Sequence, residues 1–209
     1  MFSIIQAAGW PIWPLLVCSI VALALVFERA ISLRTVKVAP PRLLDEAIAV
    51  SSRTVPTMDV IVQLEQNSAL GEVLAAGFRA INSQPGGSEE DLRSAIEAAG
   101  RKVAHRLERY LGALGTIASA APLLGLLGTV IGMIEIFGSQ TAAASGGTNP
   151  AQLAQGISIA LYNTAFGLIV AIPSLICWRY FRGRVDSHLL TLELAAERFV
   201  RHITHMRRG

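Results

Sequence analysis

Metal-ligating and redox-active side chains are scarce in this sequence, which has two cysteines and four histidines in 209 residues. Cys18 and Cys177 lie in apolar stretches and read as small buried hydrophobes, with neither metal-ligand spacing nor a disulfide framework. His105 and His188 lie on polar segments, and His202 and His205 belong to a basic tail rather than to a metal site. Phosphate-binding glycine loops and nucleophile elbows are absent from the sequence. A non-enzymatic chain without metal or cofactor is the expectation.

Charge is also sparse, at 16% of residues against 52% hydrophobic, and the mean hydropathy is +0.49. A hydrocarbon core of about 30 Å needs roughly 20 mostly apolar helical residues. Residues 11–27, 111–137 and 157–181 meet that length. Of the 18 Lys and Arg residues, eleven fall between Arg29 and Arg109 and seven between Arg179 and Arg208. The first of the seven sits in the boundary cluster Trp178-Arg179-Tyr180-Phe181. None lies in residues 1–10 or 138–156, so the positive-inside bias places both segments outside the cytoplasm. Trp10 and Trp13 suit the outer interface and Tyr110 the inner one. The uncharged start argues against a cleaved signal peptide. The pI of about 9.2 is explained by cytoplasmic Lys and Arg facing anionic lipid, without nucleic-acid binding.

The expected fold is an all-α membrane protein with three transmembrane helices, the second and third extended into a cytoplasmic helical domain. Its parts are an outer N-terminus and first span (1–27), a cytoplasmic helical region (28–110), the second span (111–137), and a short periplasmic loop and helix start (138–156). The third span (157–181) and a cytoplasmic helix with a basic tail (182–209) complete it. Pro40-Pro41 stops the first helix. Helical spacing predicts short helices over 42–50, 57–66 and 69–81, carried by Val60, Ile61 and Leu64, and by Leu70, Val73 and Leu74. After the break at 83–87, Ser88 followed by Glu89-Glu90-Asp91 is a helix start, with a hydroxyl cap and carboxylates at the positive end of the dipole. No strong breaker follows before Pro122, so a helix from Glu89 to Phe137, about 73 Å long, is expected. Asn149-Pro150 predicts the cap of the last helix, whose lower part repeats Leu189, Leu192, Ala196 and Phe199.

Intramembrane polar groups are costly and face protein or water. In the second span they are Thr116, Ser119, Thr129 and Glu135, and in the third Ser158, Tyr162, Asn163, Thr164 and Ser174. Gly125, Gly128 and Gly132 allow close helix approach, and Pro122 and Pro173 each remove a helix hydrogen bond. Taken alone, Thr129 and Thr164 read as hydroxyls satisfied on a carbonyl one turn earlier. Asn163 reads as an interhelical hydrogen-bonding group. For Glu135 two readings stay open, a carboxylate reaching the headgroups and a proton acceptor at the mouth of a pathway.

Two motifs, APLLGLLGTVIGM over 121–133 and GISIALYNTAFGLIVAIP over 156–173, together make the chain similar to the MotA/TolQ/ExbB proton-channel family. Within that family its length, three spans and topology resemble the ExbB branch. The resemblance implies a homopentamer in a bacterial inner membrane, N-terminus periplasmic and C-terminus cytoplasmic. Its second and third helices would line a pore around an ExbD-like single-span partner with a transmembrane aspartate. Proton flow would drive a TonB-like protein that energises outer-membrane transport. The family's pore threonines fall on Thr129 and Thr164. Several relatives carry a glutamate five positions before the second threonine, where this chain has Ile159. Glu135 is the expected replacement, with Asn163 as its polar neighbour. The alternatives are a TolQ-like subunit of a Tol-Pal system and a non-conducting membrane scaffold. A MotA-like stator would need a fourth span, and a small-solute transporter an inverted repeat.

Overall fold

The computed structural model describes residues 10–52, 56–84, 86–142 and 150–208, with side chains excepted at 139–142, 150–153, 155, 159 and 207–208. The N-terminal segment 1–9, Pro85 of the expected break, and the loop residues 143–149 with the Asn149 cap lie outside the described residues. All regular elements among the described residues are helical: α1 (Ile12–Ser32), α2 (Thr35–Val38), α3 (Leu43–Ser51), α4 (Met58–Asn67), α5 (Ala69–Ser83), α6 (Glu89–Glu108), α7 (Leu111–Ala142) and α8 (Pro150–Arg208). Three stretches, Ile12–Ser32, Glu89–Gly138 and Gly156–Met206, are long and apolar enough to cross a membrane. The chain is a multi-pass membrane protein.

Its contacts divide into two compact units, one of residues 1–28 and 110–180, the other of 29–109 and 181–209. In the second unit α5 is the central helix, contacting α2, α3, α4 and α6. Leu70, Val73, Leu74, Ala75 and Phe78 are all buried along it. Phe78 meets Phe199 of α8 edge to face, ring centroids 5.0 Å apart at 76°. A Cβ on Gly77 would lie 2.8 Å from Phe199 Cε1, so the small residue lets the ring in. Each of the buried Leu, Val and Phe side chains contributes about 1.5–3 kcal/mol through apolar burial. The buried stripe of α8 here runs through Val185, His188, Leu192, Ala195, Phe199 and Ile203. Leu189 and Ala196, expected on that stripe, are half-buried beside it.

Local chemistry sets the elbows. Ser68 is extended (φ −161°, ψ 168°), ends α4, and caps α5 by accepting from the Gly71 N–H at 3.0 Å. A Cβ on Gly71 would fall 2.0 Å from the Leu64 carbonyl oxygen, so the elbow closes only around glycine. Ser88 forms the expected cap as a reciprocal box with Asp91, accepting from its N–H at 3.1 Å while donating its own N–H to Oδ2 at 2.9 Å. The long element from Glu89 takes one tightened step at Arg109-Tyr110, which separates α6 from α7. Arg109 has ψ −6° in place of the helical value near −42°. Here the buried Arg29 guanidinium donates to the Leu107 carbonyl at 2.9 Å, a cation on the negative end of α6. His188, also buried, bonds the Leu33 carbonyl at 3.0 Å just past α1. Glu72, largely buried, is answered by Lys102 at 3.5 Å and by Arg106.

In the first unit Leu15 of α1 is buried against Ala121 of α7 and Val170 and Ala171 of α8, with Cys18, Ile117, Leu124 and Phe166 around them. Helices α7 and α8 run through Pro122 and Pro173 without ending.

Candidate functional site

The seam between α7 and α8 is built on missing side chains. A Cβ on Gly125 would lie 2.7 Å from the Asn163 carbonyl oxygen and 3.0 Å from Thr164 Cα. On Gly167 it would lie 2.6 Å from the Ala121 carbonyl oxygen, and on Gly128 2.7 Å from Asn163 Cβ. Gly132 meets Ala160 more loosely, at 3.2 Å. At the ends of the seam, Gly156 faces Ile136 and Gly115 lies under the Trp178 indole. These partners run in opposite order along the chain, so α7 and α8 are antiparallel. Gly125, Gly128 and Gly132 are legible from sequence as close-approach positions; the facing Gly156 and Gly167 are not. The last two recur after three turns on one face of α8, a signal that only the partner helix makes meaningful.

With about 100° per residue, the seam positions define one face on each helix, and the remaining residues can be placed around it. Thr129 lies about 60° to one side of the α7 seam and Thr164 about 60° in the same rotational sense on α8. Because the helices are antiparallel, equal rotation puts both threonines on one flank of the pair. Ile117, Leu124, Phe166 and Val170, which pack with Leu15 and Cys18 of α1, lie on the other. The threonine flank is therefore the one α1 leaves uncovered within this unit. Thr129 and Thr164 are both half-buried.

The two hydroxyls are held differently. Thr129 Oγ1 donates to the Leu126 carbonyl of its own helix at 2.7 Å, as expected for a helical threonine. Thr164 Oγ1 instead crosses the seam and donates to the Gly125 carbonyl at 3.3 Å. That carbonyl is the one the α-helical ladder assigns to the Thr129 N–H. One backbone oxygen thus joins the two threonines. Thr116, Ser119, Ser158 and Ser174 all bond carbonyls within their own helices.

Asn163 is 2% exposed and sits on Gly128, its Nδ2 2.9 Å from where a Cβ would be. Glu135 is exposed and lies about 60° to the α1 side of the seam, so it shares a flank with neither threonine. It also stands about two turns beyond Gly128, away from Asn163. Pro122 is half-buried and Pro173 exposed. Outside the seam, Thr129, Val130, Met133, Ile134, Phe137 and Gly138 border an open apolar groove of about 600 Å³. Among the described residues no group of three His, Cys, Asp or Glu side chains is placed to hold a metal. The arrangement offers an apolar wall carrying two hydroxyl oxygens, suited to guiding a polar group through a membrane.

The profile of the MotA/TolQ/ExbB proton channel family matches residues 65–194. The chain is 32% identical over 178 residues to the biopolymer transport protein ExbB-like 3 of Synechocystis, covering 85% of this chain and 83% of that one. It is 30% identical over 172 residues to the biopolymer transport protein exbB1 of Vibrio cholerae, covering 81% and 73%. With the Tol-Pal system protein TolQ of Pseudomonas aeruginosa it shares 31% identity over 129 residues, covering 58% and 55%.

Proposed function

Because this chain belongs to the MotA/TolQ/ExbB proton channel family, we propose that it is the ExbB-type subunit of a proton-driven inner-membrane motor. As a proton channel subunit it performs transport and no covalent catalysis. In this reading five copies surround a single-span ExbD-like partner with an intramembrane aspartate. Proton passage then moves a TonB-like protein that energises uptake across the outer membrane. The N-terminus lies in the periplasm and the C-terminus in the cytoplasm, following the distribution of Lys and Arg.

The observation that carries the reading is the placement of Thr129 and Thr164 together on the flank that α1 does not cover, joined through the Gly125 carbonyl. A pore wall needs such a face, apolar enough to exclude ions yet bearing polar oxygens. Glu135 is assigned the acidic role at the outer end. The contacts of Gly132 with Ala160 and of Ile136 with Gly156 bracket it. By backbone register, position 159 of α8 falls on the same side of the seam and at nearly the same level. A carboxylate moved from 159 to 135 changes helix without leaving that region.

Native purification with mass spectrometry of the intact complex tests the assembly, and proton flux into liposomes tests conduction. Five copies with an aspartate-bearing single-span protein, and flux that its Asp→Asn variant abolishes, are expected. A TolR-like partner moves the assignment to the Tol-Pal system, which the TolQ match favours as second reading. A complex that passes no protons makes the chain a scaffold.

A further inference from the structure

Just past the end of α1 the chain is laid across α8. His188 bonds the Leu33 carbonyl at 3.0 Å, and one turn earlier on the same face of α8 the Arg184 guanidinium donates to Thr35 Oγ1 at 3.4 Å. Val38 and Ala39, both buried, complete the attachment. Thr35 and Val38 share one face of α2 at i,i+3 spacing, and Arg34, Val36 and Lys37 are left exposed, Val36 at 74%. Among the described residues Arg34, Lys37 and Arg184 have no ion-pair partner. Arg184 uses one of its five N–H donors on Thr35. Residues 29–44 contain four Lys and Arg and no Asp or Glu. Asp186, the nearest carboxylate to Arg184 along α8, lies about 200° around the helix and is paired with Arg182 at 3.4 Å. Three unanswered cations and an exposed valine therefore stand where α1 leaves the hydrocarbon.

Resting on the orientation that puts residues 29–109 in the cytoplasm, we propose that Arg34, Lys37 and Arg184 bind the headgroup of an anionic phospholipid of the inner leaflet, with Val36 set among its acyl chains. The lipid phosphate accepts from the guanidinium N–H groups and from the ammonium. A phosphatidylglycerol headgroup brings net negative charge, whereas phosphatidylcholine carries a cation that the three side chains repel. A soluble anion would answer the charges and leave Val36 in water, so the apolar residue and the position beside a span select the lipid. Bound there, the phosphate joins α2 to α8 and fastens the elbow between the first span and the cytoplasmic helices.

Native mass spectrometry of the purified full-length protein in neutral detergent, titrated with dioleoyl phosphatidylglycerol or dioleoyl phosphatidylcholine, tests this. The readout depends neither on proton flux nor on which way the chain faces in a membrane, so the site and the channel reading fail separately. Phosphatidylglycerol should bind at least about tenfold more tightly than phosphatidylcholine. Arg34→Gln and Lys37→Gln should each weaken it about fivefold, the factor for one cation near an anionic surface. Val36→Asn should weaken it about threefold. Arg201→Gln removes an exposed cation about 26 Å further along α8 and should leave the affinity unchanged. Equal affinity for the two lipids, or a loss in Arg201→Gln as large as in Arg34→Gln, overturns the proposal by reducing the effect to overall charge. Displacement of phosphatidylglycerol by inorganic phosphate, with Val36→Asn unchanged, overturns it in favour of a soluble-anion site.

Discussion

The Asn163 side chain occupies the space that a side chain on Gly128 would need, with Asn163 Cβ 2.7 Å and Cγ 2.9 Å from the ideal Cβ position. The contact fixes how far α7 and α8 can approach and turn, and with it the flank on which Thr129 and Thr164 appear. Gly128→Ala is expected to cost about 1–3 kcal/mol through overpacking. Gly132→Ala, whose new methyl meets Ala160 at 3.2 Å, should cost less. Gly112, with nothing within 4 Å, is the neutral control. Thermal unfolding of the detergent-solubilised protein ranks the three, and equal losses would show that the seam is not close-packed.

Phe199 links α8 to α5 through the edge-to-face contact with Phe78. Phe199→Ala should destabilise the unit of residues 29–109 and 181–209 by about 3–5 kcal/mol. Denaturant midpoints followed by helical circular dichroism check it, and a loss below about 1 kcal/mol would mean the site collapses around the smaller side chain.

Arg29 is 3% exposed and bonds the Leu107 carbonyl, 78 residues away in sequence. Arg29→Met keeps much of the apolar stem and removes the charged donor. The expected cost is about 1–3 kcal/mol, the range for a lost charge-assisted bond or an unsatisfied buried group. Amide hydrogen exchange should quicken around Leu107 to Leu111 while the α5 core keeps its protection. Uniform acceleration throughout would argue for general loosening instead.

The Ser88 side-chain hydrogen bond, with the backbone bond from Ser88, holds the Asp91 carboxyl below its ordinary value of 3.8. A depressed folded pKa means the contribution is fully present above the unfolded value and is lost as pH falls through the folded one. Protection of the first α6 amides is therefore expected to fall only below about pH 4. Asp91→Asn should flatten that dependence, and a profile unchanged by the substitution would dissociate the box from it.

Glu135→Gln tests the remaining carboxylate. If Glu135 supplies the outer acid, the substitution lowers proton flux while leaving assembly with the partner intact. Unchanged flux would assign the side chain to headgroup contact.

Hydropathy alone made the three spans legible, because roughly 20 apolar residues in a row have few other uses. The Ser88 start was legible for a similar reason, since a cap and its carboxylates are neighbours in sequence. The short α2 was not, because Thr35–Val38 has too few residues to show a period. Arg29 to Leu107 and His188 to Leu33 were also hidden, since such pairings depend on chain crossings that no local pattern encodes. The site divides in the same way. Its residue types were readable, but Thr164 reaching across to Gly125 instead of back along its own helix, and Glu135 lying away from both threonines, required the antiparallel register.

The glycine seam has a mechanical meaning as well. Where Gly125 meets the backbone of Asn163 and Thr164, and Gly167 meets Ala121, few rotatable side-chain bonds lie between the two helices. Bringing them together freezes little rotamer entropy. It also leaves no soft spacer to absorb displacement. A load applied to the threonine flank would meet α7 and α8 as one stiff beam rather than two sliding rods.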